Sequence, residues 1–138
     1  MRLPKGATVA VADGEKLNLF RNTGDETTPR LTALPSPNIR STKGSGAGHE
    51  SSSANPDHNR ADEDGFAAGV AELLNRRVMD GKITGLVVIA APRTLGELRK
   101  HYHQTLSDKL VGEIAKDLTG HAAHDVEKAI AAAGSNAQ

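Results

Sequence analysis

The chain has no cysteine and no tryptophan, and only Phe20, Phe66 and Tyr102 are aromatic among its 138 residues. Without a thiol, disulfides, thiolate nucleophiles and Cys-ligated zinc are all excluded, which agrees with a reducing compartment. With three rings the core has to be aliphatic, built from Leu, Val, Ile and Ala. Long apolar runs are missing as well. The longest, Leu86 to Ala91, falls far short of the roughly 20 residues that span a bilayer, so membrane insertion is not expected. Met1 to Gly6 lacks the apolar stretch of a signal peptide, and a cytoplasmic location is the expectation.

Charge of one sign does not accumulate either. Lys plus Arg and Asp plus Glu number 17 each, for a formal net charge of zero. Residues 1–43 sum to +3, residues 44–65 to −4 and residues 66–138 to +1. No segment holds the dense basic stripe on which nonspecific nucleic-acid binding rests, so DNA is not an expected partner. An RNA contact would have to use local shape and a few charges.

The length suits one domain with a real core, residues 1–138. Ala7 to Asn22 holds two short apolar stretches joined at Asp13-Gly14. That dipeptide predicts a tight hairpin with a primed turn, because glycine accepts the positive φ such turns need. Strands are expected over about 7–12 and 16–21, with a third near Arg30–Leu34 that Pro35 and Pro37 stop. Residues 36–64 have no hydrophobic period and include Gly44, Gly46, Gly48 and Ser51 to Ser53. Such a segment buries too little apolar surface to offset its ordering entropy and reads as a mobile loop.

From Arg60 to Asp80 the pattern changes. Phe66, Val70, Leu73, Leu74 and Val78 fall on one helical stripe, and Gly81 stands at the expected stop. Gly85–Ala91 is apolar throughout from Leu86, which predicts a central strand covered on both faces. Thr94-Leu95-Gly96-Glu97 has the pattern of a capping box opening a second helix, which would bury Leu95, Leu98 and Tyr102. Leu110–Leu118 suits a helix or a strand; a strand completes the crossover that would otherwise have no return. A last helix is expected over Ala123 to Ala133, stopped by Gly134. The order β-β-β-α-β-α-β-α predicts an α/β domain with a mixed five-stranded, ribonuclease H-like sheet and helices packed on it.

Several stretches carry a family resemblance: Val11-Ala12-Asp13-Gly14, Leu19-Phe20-Arg21-Asn22, Pro37-Asn38, Leu86 through Gly96, and Glu113-Ile114-Ala115-Lys116-Asp117-Leu118-Thr119. In that order they resemble the host attachment proteins, small bacterial proteins similar to the central domain of archaeal and eukaryotic release factors. The resemblance supports a strand over 110–118. It implies a role in attachment to host cells, as the family name asserts, or a translation-associated role with the ribosome or tRNA as partner.

Release factors of that kind hydrolyse peptidyl-tRNA with a Gly-Gly-Gln tip. The corresponding stretch here, Lys43-Gly44-Ser45-Gly46-Ala47-Gly48-His49-Glu50, has no glutamine; the chain's glutamines are Gln104 and Gln138. Nothing in it positions an attacking water. A two-metal nuclease needs several converging carboxylates, whereas the apolar strand 86–91 offers none and Asp13 is explained by turn formation. The histidines His49, His58, His101, His103, His121 and His124 lack any zinc-ligand spacing, and the 101/103 pair should point to different faces of a helix. The loop glycines lack the Gly-Lys-Ser/Thr ending of a phosphate-binding loop. No metal or cofactor is expected, and the residue chemistry reads as a binding module and not an enzyme; a hydrolase using His49 with a nearby acid is the catalytic alternative.

Candidate binding residues are Lys43, Gly44, Gly46, Gly48 and His49 in the loop, with Arg93, Lys116, Asp117 and Thr119 at the carboxyl ends of strands. Such ends often form ligand crevices. Asp117 and Thr119 are equally suited to accepting turn hydrogen bonds and capping the last helix.

Overall fold

A computed structural model of the chain describes residues 2–35, 37, 39 and 56–135, with 56–63 and 134–135 as backbone only. In chain order the elements are β1 (Thr8–Ala12), β2 (Leu17–Asn22), β3 (Leu31–Ala33), α1 (Pro56–Met79), β4 (Leu86–Ala90), α2 (Pro92–Arg99), α3 (Gln104–Lys109), β5 (Leu110–Ala115) and α4 (Ala123–Ser135). The strands form one mixed sheet in the order β3-β2-β1-β4-β5. β1–β2 and β2–β3 are antiparallel, and β1–β4 and β4–β5 are parallel. The expected five-stranded α/β domain is therefore present.

Alternation along the central strands divides the core between two faces. Ala10, Ala12, Leu17, Leu19, Val88 and Ala90 face α1, α2 and α3 and pack on Val70, Leu74, Leu95, Leu98 and Leu106. Val9, Val11, Phe20, Leu31, Val87 and Ile89 face the other way, against Leu3 and the α4 residues Val126 and Ile130. Alanines dominate the central strands where three helices crowd in, and branched side chains dominate where one helix has to suffice. All five β4 residues are fully buried, and each such Val, Leu or Ile contributes roughly 1.5–3 kcal/mol.

Several local expectations change. The Asp13-Gly14 hairpin forms, but positive φ among the described residues occurs at Gly6 (86°) and Gly81 (79°), not at Gly14. Asp13 itself makes the turn: its Oδ1 accepts the Glu15 and Lys16 amides at 2.7 and 2.6 Å. A side chain that satisfies the turn amides removes the need for a primed geometry. Gly81 ends α1 as expected.

The first helix starts at Pro56, so the segment expected to be loop over 36–64 gives up its last residues to α1. Proline has no amide to satisfy and its φ is already helical. At 24 residues α1 is about 36 Å long, twice the span of a five-residue strand. Missing periodicity there did not mean irregular backbone.

The capping box at Thr94 does not form. Pro92 opens α2, Ala91 is the N-cap, and no side chain caps it. The second helix also stops at Arg99, and α3, a separate short helix, follows. β5 is a strand, as the crossover required, but ends at Ala115 because the Lys116 amide turns back to the Ile114 carbonyl at 3.1 Å. α4 runs through Gly134 to Ser135.

One buried polar residue organises the β2 end of the sheet. Asn22 is 1% exposed. Its Nδ2 donates to the carbonyls of Leu3 (2.9 Å), Pro4 (3.3 Å) and Asp25 (3.3 Å). Its Oδ1 accepts the amides of Gly24 and Arg30, each at 2.9 Å. The N-terminal arm and the β2–β3 turn are thus held by one side chain.

Candidate functional site

The three parallel strands end at the same edge of the molecule, which puts Asp13 after β1, Arg93 after β4, and Lys116, Asp117 and Thr119 after β5. The geometry joins three of them. Thr119 Oγ1 lies 2.9 Å from Asp13 Oδ2 and 2.9 Å from Asp117 Oδ1, so one hydroxyl proton serves two carboxylates. The Asp117 carboxylate also accepts the Thr119 amide at 3.3 Å. Asn18 in β2 donates from Nδ2 to the Thr119 carbonyl at 2.9 Å. The β5–α4 connection is thereby bolted to a hairpin more than a hundred residues away in sequence.

Burial pushes the Asp13 carboxyl up, but the Glu15 and Lys16 amides, the Thr119 hydroxyl and the Lys16 charge outweigh it and hold the group below the ordinary value. An ionised Asp13 with both oxygens engaged is a structural acceptor. Thr119 does not cap α4, which begins four residues later at Ala123; Asp117 does accept a turn amide, as one of its two readings required. Lys116 is exposed at the rim.

Arg93 stands apart from this cluster. Its Nη2 pairs with Asp64 Oδ1 at 3.1 Å, tying the start of α2 to α1, with Arg93 exposed and Asp64 partly exposed. Such a surface pair contributes under about 1 kcal/mol. Lys43, Gly44, Gly46, Gly48 and His49 lie outside the described residues.

Beside the hairpin is an open groove of about 420 Å³ lined by Lys16, Leu17, Asn18, Pro37, Ile39 and Phe66. Sequence reading assigned Phe66 to the core stripe of α1 and gave Asn18 no role.

A second groove, of about 260 Å³, is lined by Ala68, Glu72, Asn75, His101 and His103. The two histidines do not point apart on one helix. They lie between α2 and α3, where helical spacing does not apply, and share this groove. Asn75, 3% exposed, fixes them there: its Nδ2 donates to the His101 carbonyl at 2.9 Å and its Oδ1 accepts the His103 amide at 3.0 Å. Among the described residues no three His, Cys, Asp or Glu side chains are grouped to hold a metal, and none of their helices is long and apolar enough to cross a membrane.

The model of bacterial archaeo-eukaryotic release factor family 12 matches residues 6–130. The chain belongs to this family. The match runs from the turn before β1 to Ile130 in α4, so family 12 membership covers both faces of the core. It also covers the Asp13–Thr119 link, Arg93 and both grooves. No curated protein matches the chain.

Proposed function

We propose that this family 12 chain is a non-enzymatic, release-factor-like module that binds the ribosome or tRNA. The contact surface would be the carboxyl ends of its parallel strands together with the glycine-rich segment that holds Lys43, Gly44, Gly46, Gly48 and His49. The observation that carries the reading is a release-factor family match over nearly the whole sheet, combined with a glycine-rich stretch that lacks glutamine. Peptidyl-ester hydrolysis depends on a group that orients water at the reacting carbonyl. Gln104 cannot serve that end of the sheet: it opens α3, which feeds the opposite end of β5, and donates to Asp108 at 2.9 Å. Asp13 is the best-placed carboxylate, and hydrogen bonds within the fold use both of its oxygens.

Lysate gradients of tagged protein, intact and lacking residues 41–55, test the reading. The intact chain is expected in the ribosomal fractions at low salt and the deletion largely at the top of the gradient. Free migration of both at low salt overturns ribosome association. Measurable ester cleavage on charged tRNA overturns the non-enzymatic reading.

A further inference from the structure

At the opposite end of the sheet, where β1, β4 and β5 begin, the fold gathers cations that are scattered along the sequence. Lys5 lies in the turn leading into β1, and Arg21 pairs across from Thr8 at the start of that strand. Arg76 and Arg77 form the last turn of α1. The chain then doubles back, with the Lys82 amide on the Arg77 carbonyl at 2.9 Å. Lys109 closes α3 immediately before β5. Apart from half-buried Arg77, all six are exposed.

The same end holds Arg2 and Arg30, and five acids. Asp25 is occupied by Thr27 and Thr28, Asp108 by Gln104, Glu127 by the Leu31 amide, and Glu26 stands 3.9 Å from Arg2; the fifth is Asp80. The eight cations named here therefore outnumber these five acids, although the whole chain is neutral. Among the described residues, none of the six central side chains makes an ion pair. Lys109 and Asp108 line a depression of about 310 Å³ at this end, together with Pro4, Ala7, Gly85 and Val111.

We propose that this basic end is a docking surface for the phosphate backbone of structured RNA, resting on the translation-related reading only for the choice of RNA over DNA. Unpaired, solvated cations spread over several elements match a polyanion, because each phosphate they neutralise releases counterions. None of the three aromatics lies here: Phe20 is in the α4-side core, Phe66 in the hairpin groove, and Tyr102 beside Glu113. With no ring to stack an unpaired base, the surface reads backbone and shape, which suits a duplex. The large exposed apolar side chains among the described residues are Met79 (67%) and Val111 (36%), which do not make the broad apolar face that a membrane-lying surface needs.

Fluorescence anisotropy of a labelled RNA duplex of about 20 base pairs, at about 50 mM salt, tests the proposal on the full chain. A variant combining Lys5→Gln, Arg76→Gln, Lys82→Gln and Lys109→Gln is expected to bind at least about tenfold more weakly. Its log–log salt dependence should be shallower by about 3 to 4, near 0.9 for each lost phosphate contact. The single variants Lys82→Glu and Lys109→Glu give the same direction should the combined one fold poorly by circular dichroism. Lys16→Gln, beside the hairpin groove at the other end, should stay within about twofold of the parent. No duplex binding by the parent, or equal binding by the neutralised variant, overturns the proposal. So does charge-dependent binding to phosphatidylglycerol vesicles in preference to the duplex. Deleting residues 41–55 should leave duplex affinity intact, so the ribosome-binding reading can fail while this one stands, and the reverse.

Discussion

Asn22→Ala is expected to be among the most damaging single changes outside the aliphatic core. Alanine removes a donor group shared by three carbonyls and an acceptor shared by two amides, all at a residue 1% exposed. The Leu3 carbonyl is buried with it, whereas the other partners are partly solvated and recover some bonding to water. An unsatisfied buried group costs about 1–3 kcal/mol, and each remaining bond about 0.5–1.5 kcal/mol. With the four partly solvated bonds taken at the low end, the sum is about 3–5 kcal/mol, a large share of the roughly 5–15 kcal/mol that holds a domain together. Urea unfolding followed by far-ultraviolet circular dichroism measures it as a lower midpoint at unchanged slope. Asn22→Asp sharpens the test, since it keeps the acceptor for Gly24 and Arg30 but turns a carboxylate towards three carbonyl oxygens. Its loss should match that of alanine at neutral pH and shrink in acid, when the protonated carboxyl can donate again. A cost under about 1 kcal/mol for both would refute the view that this side chain holds the N-terminal arm and the β2–β3 turn together.

Three further outcomes are expected. Thr119→Val should cost about 1–2 kcal/mol by unlinking the β5–α4 connection from the hairpin. The folded-state pKa of Asp13 lies below its unfolded value, so the contribution of that carboxylate is present above about pH 4 and lost as pH falls through the folded value. The acid limb of the stability curve should therefore be flatter in Thr119→Val than in the parent. Gly24→Ala should destabilise by about 2 kcal/mol or more in the same assay, because a Cβ there collides with the Thr28 carbonyl and sits 2.8 Å from the Arg30 amide. Burial first, and then the Glu113 carboxylate, hold the Tyr102 phenol above its ordinary value. Phenolate absorbance of the folded protein should thus rise only at higher pH than that of the unfolded chain, and stability tied to this group should persist below about pH 10 and fall as pH rises through the folded value.

Much of the fold was legible in residue pattern because its central elements obey simple periods. Leu86–Ala90 is apolar at every position and sits mid-sheet; Phe66 to Val78 keep a helical stripe and α1 packs along it. β5 was ambiguous by period and was settled by the need to return a crossover. The misreadings have local causes. Pro92 and Thr94 both announce a helix start, and the proline, lacking an amide, took the position. Asp13 competed with Gly14 for control of one turn and its carboxylate prevailed. The break after Arg99 left no mark, because Tyr102 continues the stripe of Leu95 and Leu98 and still packs on the same core. The candidate site was half visible. Strand ends pointed to Arg93, Asp117 and Thr119, but a bond between Thr119 and Asp13 joins residues that no local pattern relates. The basic end was invisible for the same reason: its cations come from four separate stretches of a neutral chain.

Equilibrium binding of the full-length chain to purified ribosomes, with ester cleavage on charged tRNA followed in the same samples, tests the release-factor-like binding role most directly. Saturable, salt-sensitive binding without release of the ester-linked group is the expected result. No binding at any salt concentration, or turnover of the ester, would contradict it.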